Sequence, residues 1–339
     1  MDPLLRSELI RYGEMAQSCY DAFDYDPFSY YFGGCRFPRR AFLDSLHLTR
    51  HGYDVTRYLY ATANIRLPNF FTKSRWPNLW SPKANWIGYV AVSDDETSRV
   101  LGRRDIAIAW RGTVTRLEWL ADLMNYLKPV DDNSWCGKKK SYRNFFRSFN
   151  KKLHHSIRSR LRQVLTEVKR LTEKYDGAGE EVSITITGHS LGSALATLSA
   201  YDIAETGLNL VICVFSFSGP RVGNVRFKER LDFLGVKVLR VVNVHDIVPR
   251  CPGFLFNEDV PRVLTKLAEG LPWCYSHVGV ELELDHKSSP FLKPTSDLVS
   301  AHNLEAHLHL LDGSVSFLFF SCFVSYNTSY NVNIYSIII

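Results

Sequence analysis

From residue 86 onward, short apolar runs alternate with stretches of helical spacing. The runs lie at 87–92, 104–110, 182–187, 210–217 and 236–243. The third, Val182-Ser183-Ile184-Thr185-Ile186-Thr187, is β-branched at nearly every position, as suits a buried strand. Between runs, residues 156–175 set Ile157, Leu161, Val164, Leu165, Val168 and Leu171 on one side of a helix. Residues 191–206 predict a second helix, whose small face (Ser193, Ala194, Ala196, Thr197, Ala200) can pack close to a sheet. A third helix is expected over about 224–234, and a closing one over 303–311. Strands alternating with helices predict an α/β fold with a mainly parallel, doubly wound sheet. Residues 276–282 are expected to add an antiparallel edge strand.

Outside this alternation the pattern weakens. Residues 4–24 repeat Leu4, Leu5, Leu9, Ile10, Tyr12, Met15 and Ala16 at roughly helical spacing. Residues 25–85 mix aromatics, Pro and Gly with short apolar runs such as 58–61, and predict an irregular N-terminal cover whose aromatics pack inward. A polar turn is expected at 93–99, and Leu117, Trp119, Leu120, Leu123, Met124 and Leu127 form an apolar helical stripe. After Gly313 an apolar run at 317–324 is followed by a Tyr/Asn/Ser stretch and Ile337-Ile338-Ile339. Neither run approaches the ~18–20 apolar residues of a membrane helix. The expected organisation is a helix and cover over 1–85, an α/β domain over 86–313 and a divergent tail over 314–339.

Composition changes this picture little. At 339 residues, with 45% hydrophobic and 22% charged residues, the chain can bury a sizeable core. Its seven cysteines are scattered without a C-x-x-C pair, which fits reduced thiols rather than a disulfide frame or zinc site. The start, Met1-Asp2-Pro3-Leu4, shows neither an apolar signal core nor an Arg/Ser-rich transit peptide, and predicts no address. The net charge of +6 is uneven: no acid falls between Asp132 and Glu167, where Lys138, Lys139, Lys140, Arg143 and Arg147 accumulate. This block is either a solvated basic face or a surface for anionic lipid; no nucleic-acid motif accompanies it.

The candidate chemistry centres on Gly188-His189-Ser190-Leu191-Gly192, between the β-branched strand and the small-faced helix. In a G-x-S-x-G turn the serine sits on a strained strand-to-helix corner, which raises its hydroxyl above the sheet. The first helical amide, that of Leu191, then points at any oxyanion formed beside it. A serine hydroxyl needs a base, and the base an orienting carboxylate. Asp246, just past the 236–243 strand, is the best placed acid; Asp202, Glu205, Glu229, Asp232, Glu258, Asp259, Asp285 and Asp297 compete. For the base, His302 opens a helix and His277 begins a possible strand, with His286, His307 and His309 less well placed. Arg111-Gly112-Thr113, at another strand end, offers a second oxyanion donor in Thr113.

Five stretches in order carry a resemblance to a known family. They are Trp110-Arg111-Gly112-Thr113 with Glu118-Trp119, residues 184–196, Ser218-Gly219-Pro220-Arg221-Val222-Gly223-Asn224, residues 243–249, and Ala301-His302-Asn303-Leu304-Glu305. Together they resemble the class 3 lipases, and more closely the plastid phospholipase A1 branch of plants. The resemblance implies an α/β-hydrolase fold and a Ser190–Asp246–His302 triad, with oxyanion donors at Thr113 and Leu191. It further implies that the segment after Thr113 is a lid, that no metal or organic cofactor is used, and that the address is the chloroplast. The implied reaction releases fatty acid from the sn-1 position of phospholipids and galactolipids. The implied partners are membrane lipids (phosphatidylcholine and galactolipids, with triacylglycerol or a small ester as alternatives) met by peripheral contact, and no nucleic acid. A lipid-surface binder with impaired catalysis is the rival from another class. The chain departs from the family over 131–155 and after 313.

Overall fold

The computed structural model describes residues 1–62, 84–113, 151–251, 275–292 and 298–313, with the backbone alone for Thr62, Ala84, 151–161 and 298–299. Seven strands form one sheet whose spatial order equals their chain order. They are β1 (Tyr53–Thr62), β2 (Ala84–Ser93), β3 (Arg104–Trp110), β4 (Val182–His189), β5 (Val211–Phe217), β6 (Lys237–Asn243) and β7 (Val280–Leu284). The β1–β2 and β2–β3 pairs are antiparallel; from β3 to β7 every pair is parallel. The helices are α1 (Pro3–Asp21), α2 (Phe42–Ser45), α3 (Asp95–Leu101), α4 (Lys151–Asp176), α5 (Leu191–Ala204), α6 (Val225–Phe233), α7 (Leu298–Ala301) and α8 (Leu304–Asp312).

Strand order explains how the sheet is covered. Parallel crossovers are right-handed, so crossovers that advance in one direction stack their helices on one face. There Ile106, Ile108, Ile184, Ile186, Ile212 and Val214 pack with Val164, Val168 and Leu171 of α4, Ala196 and Ala200 of α5, and Leu231 of α6. The alternate residues Ala107, Ala109, Phe215, Phe217, Leu239 and Val241 face the other way, as strand periodicity requires. That second face is closed by the two ends of the described chain, Leu9, Tyr12, Met15 and Ala16 of α1 with Leu304 and Leu311 of α8. Helices thus cover both faces of a mostly parallel sheet, as expected for an α/β-hydrolase. The strand order never reverses, however, so the sheet is not doubly wound in the strict sense.

A buried carboxylate ties α1 to the sheet. Asp105 of β3 is fully buried; its Oδ1 accepts from the Ser183 and Thr185 hydroxyls, each at 2.8 Å. Its Oδ2 accepts from Tyr12 of α1 at 3.0 Å and Tyr53 of β1 at 2.9 Å. Burial, reinforced by the Asp105 charge, pushes both phenols well above their ordinary range, so they stay donors at neutral pH.

Several expectations need correction. The stretch 25–85 was expected to be irregular, yet residues 53–62 form β1, a full member of the sheet whose register comes from β2. The polar turn at 93–99 is α3, started by Asp94, whose side chain accepts from the Thr97 amide at 2.7 Å. Helix α4 begins at Lys151 rather than 156. The edge strand begins at Val280 and runs parallel to β6, not antiparallel. Ser276 is held instead in a single bridge to Gly223. The apolar stripe 117–127, most of the basic stretch 131–155 and the tail 314–339 lie outside the described residues.

Replacing Asp105 with Ala would leave four buried hydroxyls without their shared acceptor, at a cost of about 3 kcal/mol or more. Urea unfolding should show that loss, and a smaller one for Asp105→Asn, which retains one acceptor oxygen.

Candidate active site

Ser190 stands between β4 and α5 at φ 59° and ψ −125°, a positive φ that non-glycine residues seldom adopt. Its amide donates to the Phe217 carbonyl at the end of β5, 2.9 Å away. The flanking glycines are sterically required. A Cβ on Gly188 would lie 2.4 Å from the Gly192 carbonyl group, and one on Gly192 would lie 2.4 Å from the Trp110 oxygen. The corner therefore sits directly against the end of β3. The Ser190 Oγ is buried and makes no hydrogen bond among the described residues.

Asp246 follows β6, its side chain fully buried. Its Oδ1 accepts from the Val248 amide at 2.9 Å, while Oδ2 lies 2.7 Å from His302 Nδ1. A carboxylate can only accept there, so Nδ1 carries the proton and Nε2 keeps the basic lone pair. His302 lies in the turn between α7 and α8.

Three successive carbonyls around His302 are held by side chains from elsewhere. Asn243 Nδ2 donates to Ala301 O at 3.0 Å, His189 Nε2 to His302 O at 2.8 Å, and His307 Nδ1 to Asn303 O at 2.7 Å. With Nε2 donating, His189 Nδ1 must accept, and the Tyr20 hydroxyl donates to it at 2.9 Å. In the same way His307 Nε2 accepts from Ser218, 2.9 Å away. Both rings must be neutral for this arrangement. Burial, and then the neighbouring histidines, hold His189 well below the ordinary range; burial likewise lowers His307. The His189 and His302 ring centres are 4.6 Å apart.

The other strand end is equally fixed. The Arg111 amide donates to Ile87 O at 2.8 Å, its Nε donates to Trp86 O at 3.0 Å, and its guanidinium lies 3.7 Å over the Phe23 ring. These contacts set the path of Gly112 and Thr113. The Thr113 hydroxyl is buried without a hydrogen-bond partner among the described residues. Leu191 is the first residue of α5, where helical geometry leaves the amide without an intrahelical acceptor.

The competing groups are engaged otherwise. His277 Nε2 donates to Pro249 O at 2.8 Å, and burial, then Arg240 and Arg221, push its pKa down to about 2. His286 bonds Asn243, and His309 Nε2 lies 3.5 Å from Ser289 Oγ. Glu205 pairs with Arg230 at 2.7 Å. Glu258, Asp259 and Asp297 lie outside the described residues. His245, Asp285 and His286 offer the described residues' one cluster of metal-ligand type, with donor atoms within 4.8 Å of one another. Sequence reasoning missed His189, Tyr20 and Asn243, and weighed His307 only as a base. The available signal was polar: a histidine inside the G-x-S-x-G turn and an asparagine closing an apolar strand.

The family described as Lipase (class 3) matches residues 107–256. The chain is 62% identical to phospholipase A1-Igamma1, chloroplastic, of Arabidopsis thaliana, over 92% of this chain and 64% of that protein. It is 46% identical to phospholipase A1 EG1, chloroplastic/mitochondrial, of Oryza sativa subsp. indica, over 92% of this chain and 70% of that one. It is 41% identical to galactolipase DONGLE, chloroplastic, of Arabidopsis thaliana, over 92% of this chain and 66% of that one. The chain thus spans less than two thirds of the length of the first of these relatives.

His189→Leu removes the donor to the His302 carbonyl and should lower kcat about ten- to a hundredfold with KM little changed. His189→Gln, which can still donate, should recover part of the rate, measured for both variants with a soluble short-chain ester.

The His277 shift sets a sign for stability. Its folded pKa lies below the unfolded value, so the unfolded chain binds the extra proton and stability falls as pH drops below about 6.5. Melting temperatures between pH 7 and 5 should fall less steeply for His277→Gln than for the parent chain.

Proposed function

The chain belongs to the class 3 lipase family, on its plant phospholipase A1 branch, and on that footing we propose that it is a serine acylhydrolase of membrane glycerolipids. The observation that carries this reading is the 2.7 Å pair between His302 Nδ1 and buried Asp246, set beside a serine on a strained corner. With its Nδ1 proton held by Asp246, His302 presents Nε2 as the base. It takes the Ser190 proton as Oγ attacks the ester carbonyl. The amides of Thr113 and Leu191 receive the oxyanion, and the tetrahedral adduct collapses as His302 returns the proton to the departing lysolipid oxygen. Water then enters, gives a proton to His302 and attacks the acyl-enzyme; His302 passes that proton to Ser190 Oγ as the acyl–oxygen bond breaks, releasing fatty acid.

The proposed substrates are phospholipids and galactolipids cleaved at sn-1, supported by the words phospholipase A1 and galactolipase in the names of relatives. The chloroplast is the proposed address, on the same footing. No helix among the described residues is long and apolar enough to cross a membrane, so contact with lipid is proposed to be peripheral.

Fatty-acid release from vesicles of monogalactosyl diacylglycerol or phosphatidylcholine should fall by about four orders of magnitude or more in Ser190→Ala, because triad members act as a unit. The lysolipid isomer names the cleaved position. Release confined to triacylglycerol or a soluble ester would move the substrate assignment. A folded parent chain that releases nothing would overturn the hydrolase reading.

A further inference from the structure

The turn over residues 25–31 inverts the usual arrangement of a surface loop. Its polar groups bond within the turn itself. Asp24, itself buried, accepts from the Asp26 amide at 3.0 Å and from the Ser29 hydroxyl. Asp26 accepts from the Phe28 amide at 2.9 Å, and the Ser29 oxygen accepts from the Tyr31 amide at 3.1 Å. The aromatic rings point outward instead: Phe28 is 96% exposed, Tyr30 95%, Tyr31 55% and Tyr25 49%. Phe42 and Tyr53 of the 25–85 stretch are buried, as expected of its aromatics, but these four rings are not, and those of Tyr30 and Tyr31 lie 5.3 Å apart. Single exposed apolar residues are ordinary, but several large rings exposed on one short turn mark an interaction surface.

The turn is braced on the catalytic edge of the sheet. Its stem closes through a bridge between Phe23 and Cys35, and Gly33 O accepts from the Trp86 amide at 2.8 Å. Trp86 O in turn accepts from Arg111, which precedes Gly112 and Thr113 and stacks on Phe23. At the foot of the turn, Tyr20 bonds His189 beside Ser190. The rings are therefore displayed from the same end of the strands as the candidate nucleophile. The backbone of the turn is already held by these bonds, which lowers the ordering cost of binding.

We propose that this turn is a membrane-docking element, whose Phe28 and Tyr30 rings enter the interfacial layer of a lipid bilayer and bring the Ser190 edge of the sheet to its substrate. The occupant follows from the chemistry. Phenylalanine and tyrosine favour the boundary between headgroups and acyl chains, and the site behind them is proposed to act on lipids that reside there. This inference rests on the hydrolase reading for its choice of partner. Residues 21–40 carry three acids (Asp21, Asp24, Asp26) and three arginines (Arg36, Arg39, Arg40), whose charges cancel. Docking through the turn is thus carried by the rings rather than by attraction to anionic lipid, and it persists at high salt.

The test uses the whole chain and phosphatidylcholine vesicles. In a Ser190→Ala background, which leaves the lipid intact, F28S/Y30S should partition to vesicles about tenfold or more weakly at high salt. Both side chains are almost fully exposed, so the melting temperature should not move. With Ser190 present, F28S/Y30S should release fatty acid from vesicles about tenfold more slowly and hydrolyse a monomeric short-chain ester at the parent rate. Phe28→Trp should shift its fluorescence to the blue and be quenched by lipids brominated along their acyl chains. An unquenched Phe28→Trp, or vesicle binding by F28S/Y30S equal to the parent's, would overturn the proposal. The two readings fail separately: quenching without any ester hydrolysis sinks the hydrolase, while rapid vesicle hydrolysis by F28S/Y30S sinks the docking turn.

Discussion

The close approach of the Ser190 corner to the end of β3 is the constraint on which the site depends. With the prospective Cβ positions of Gly188 and Gly192 only 2.4 Å from backbone atoms, no other residue fits at either place without movement. This contact holds the start of α5 against Trp110 and the residues that follow it, so the Leu191 amide and Thr113 come from two strand ends that cannot drift apart. Backbone strain at Ser190 persists because the surroundings over-determine it: its amide is held by Phe217, and glycines clear the space on both sides.

The second requirement of the proposed mechanism is a base held still, and here the fold uses neutral buried histidines as hydrogen-bonding struts. His189 and His307 are kept uncharged mainly by burial, and each donates to a carbonyl next to or on His302. A charged ring in either place would lose its acceptor role toward Tyr20 or Ser218. The same loss of hydration that would disable a catalytic histidine suits a structural one. His277 is pressed down to about 2 and bonded to Pro249, whereas His302 turns its Nδ1 to a carboxylate.

The N-terminal segment joins these two requirements. Because the crossover helices share one face of the sheet, α1 must cover the other, and its buried Tyr12 reaches Asp105 in the centre of the fold. Tyr20, two turns further on, reaches His189. The chain then leaves α1 beside Arg111 and turns outward with its aromatic rings exposed. Packing, positioning and the proposed contact with lipid are thus consecutive along a single stretch.

Local chemistry made the strand, corner and helix over 182–206 legible. A β-branched strand, two glycines four apart and a small-faced helix are constraints that adjacent residues impose on one another. Asp246 could be ranked from its place after a strand. His302, in a loop that opens a helix, could be ranked ahead of His277, but its own neighbours could not exclude the rival. Only the tertiary structure distinguishes them, since the bonds that anchor His302 come from Asn243, His189 and His307, as far as 113 positions away. Strand β1 was hidden for the same reason, because its pairing is supplied by β2 and not by its own alternation. The direction of β7 depends on which end of the sheet the last crossover returns to. What the sequence by itself determined was short-range backbone geometry and the candidate for the nucleophile; partners distant in the chain were decided by long-range contacts that no local pattern encodes.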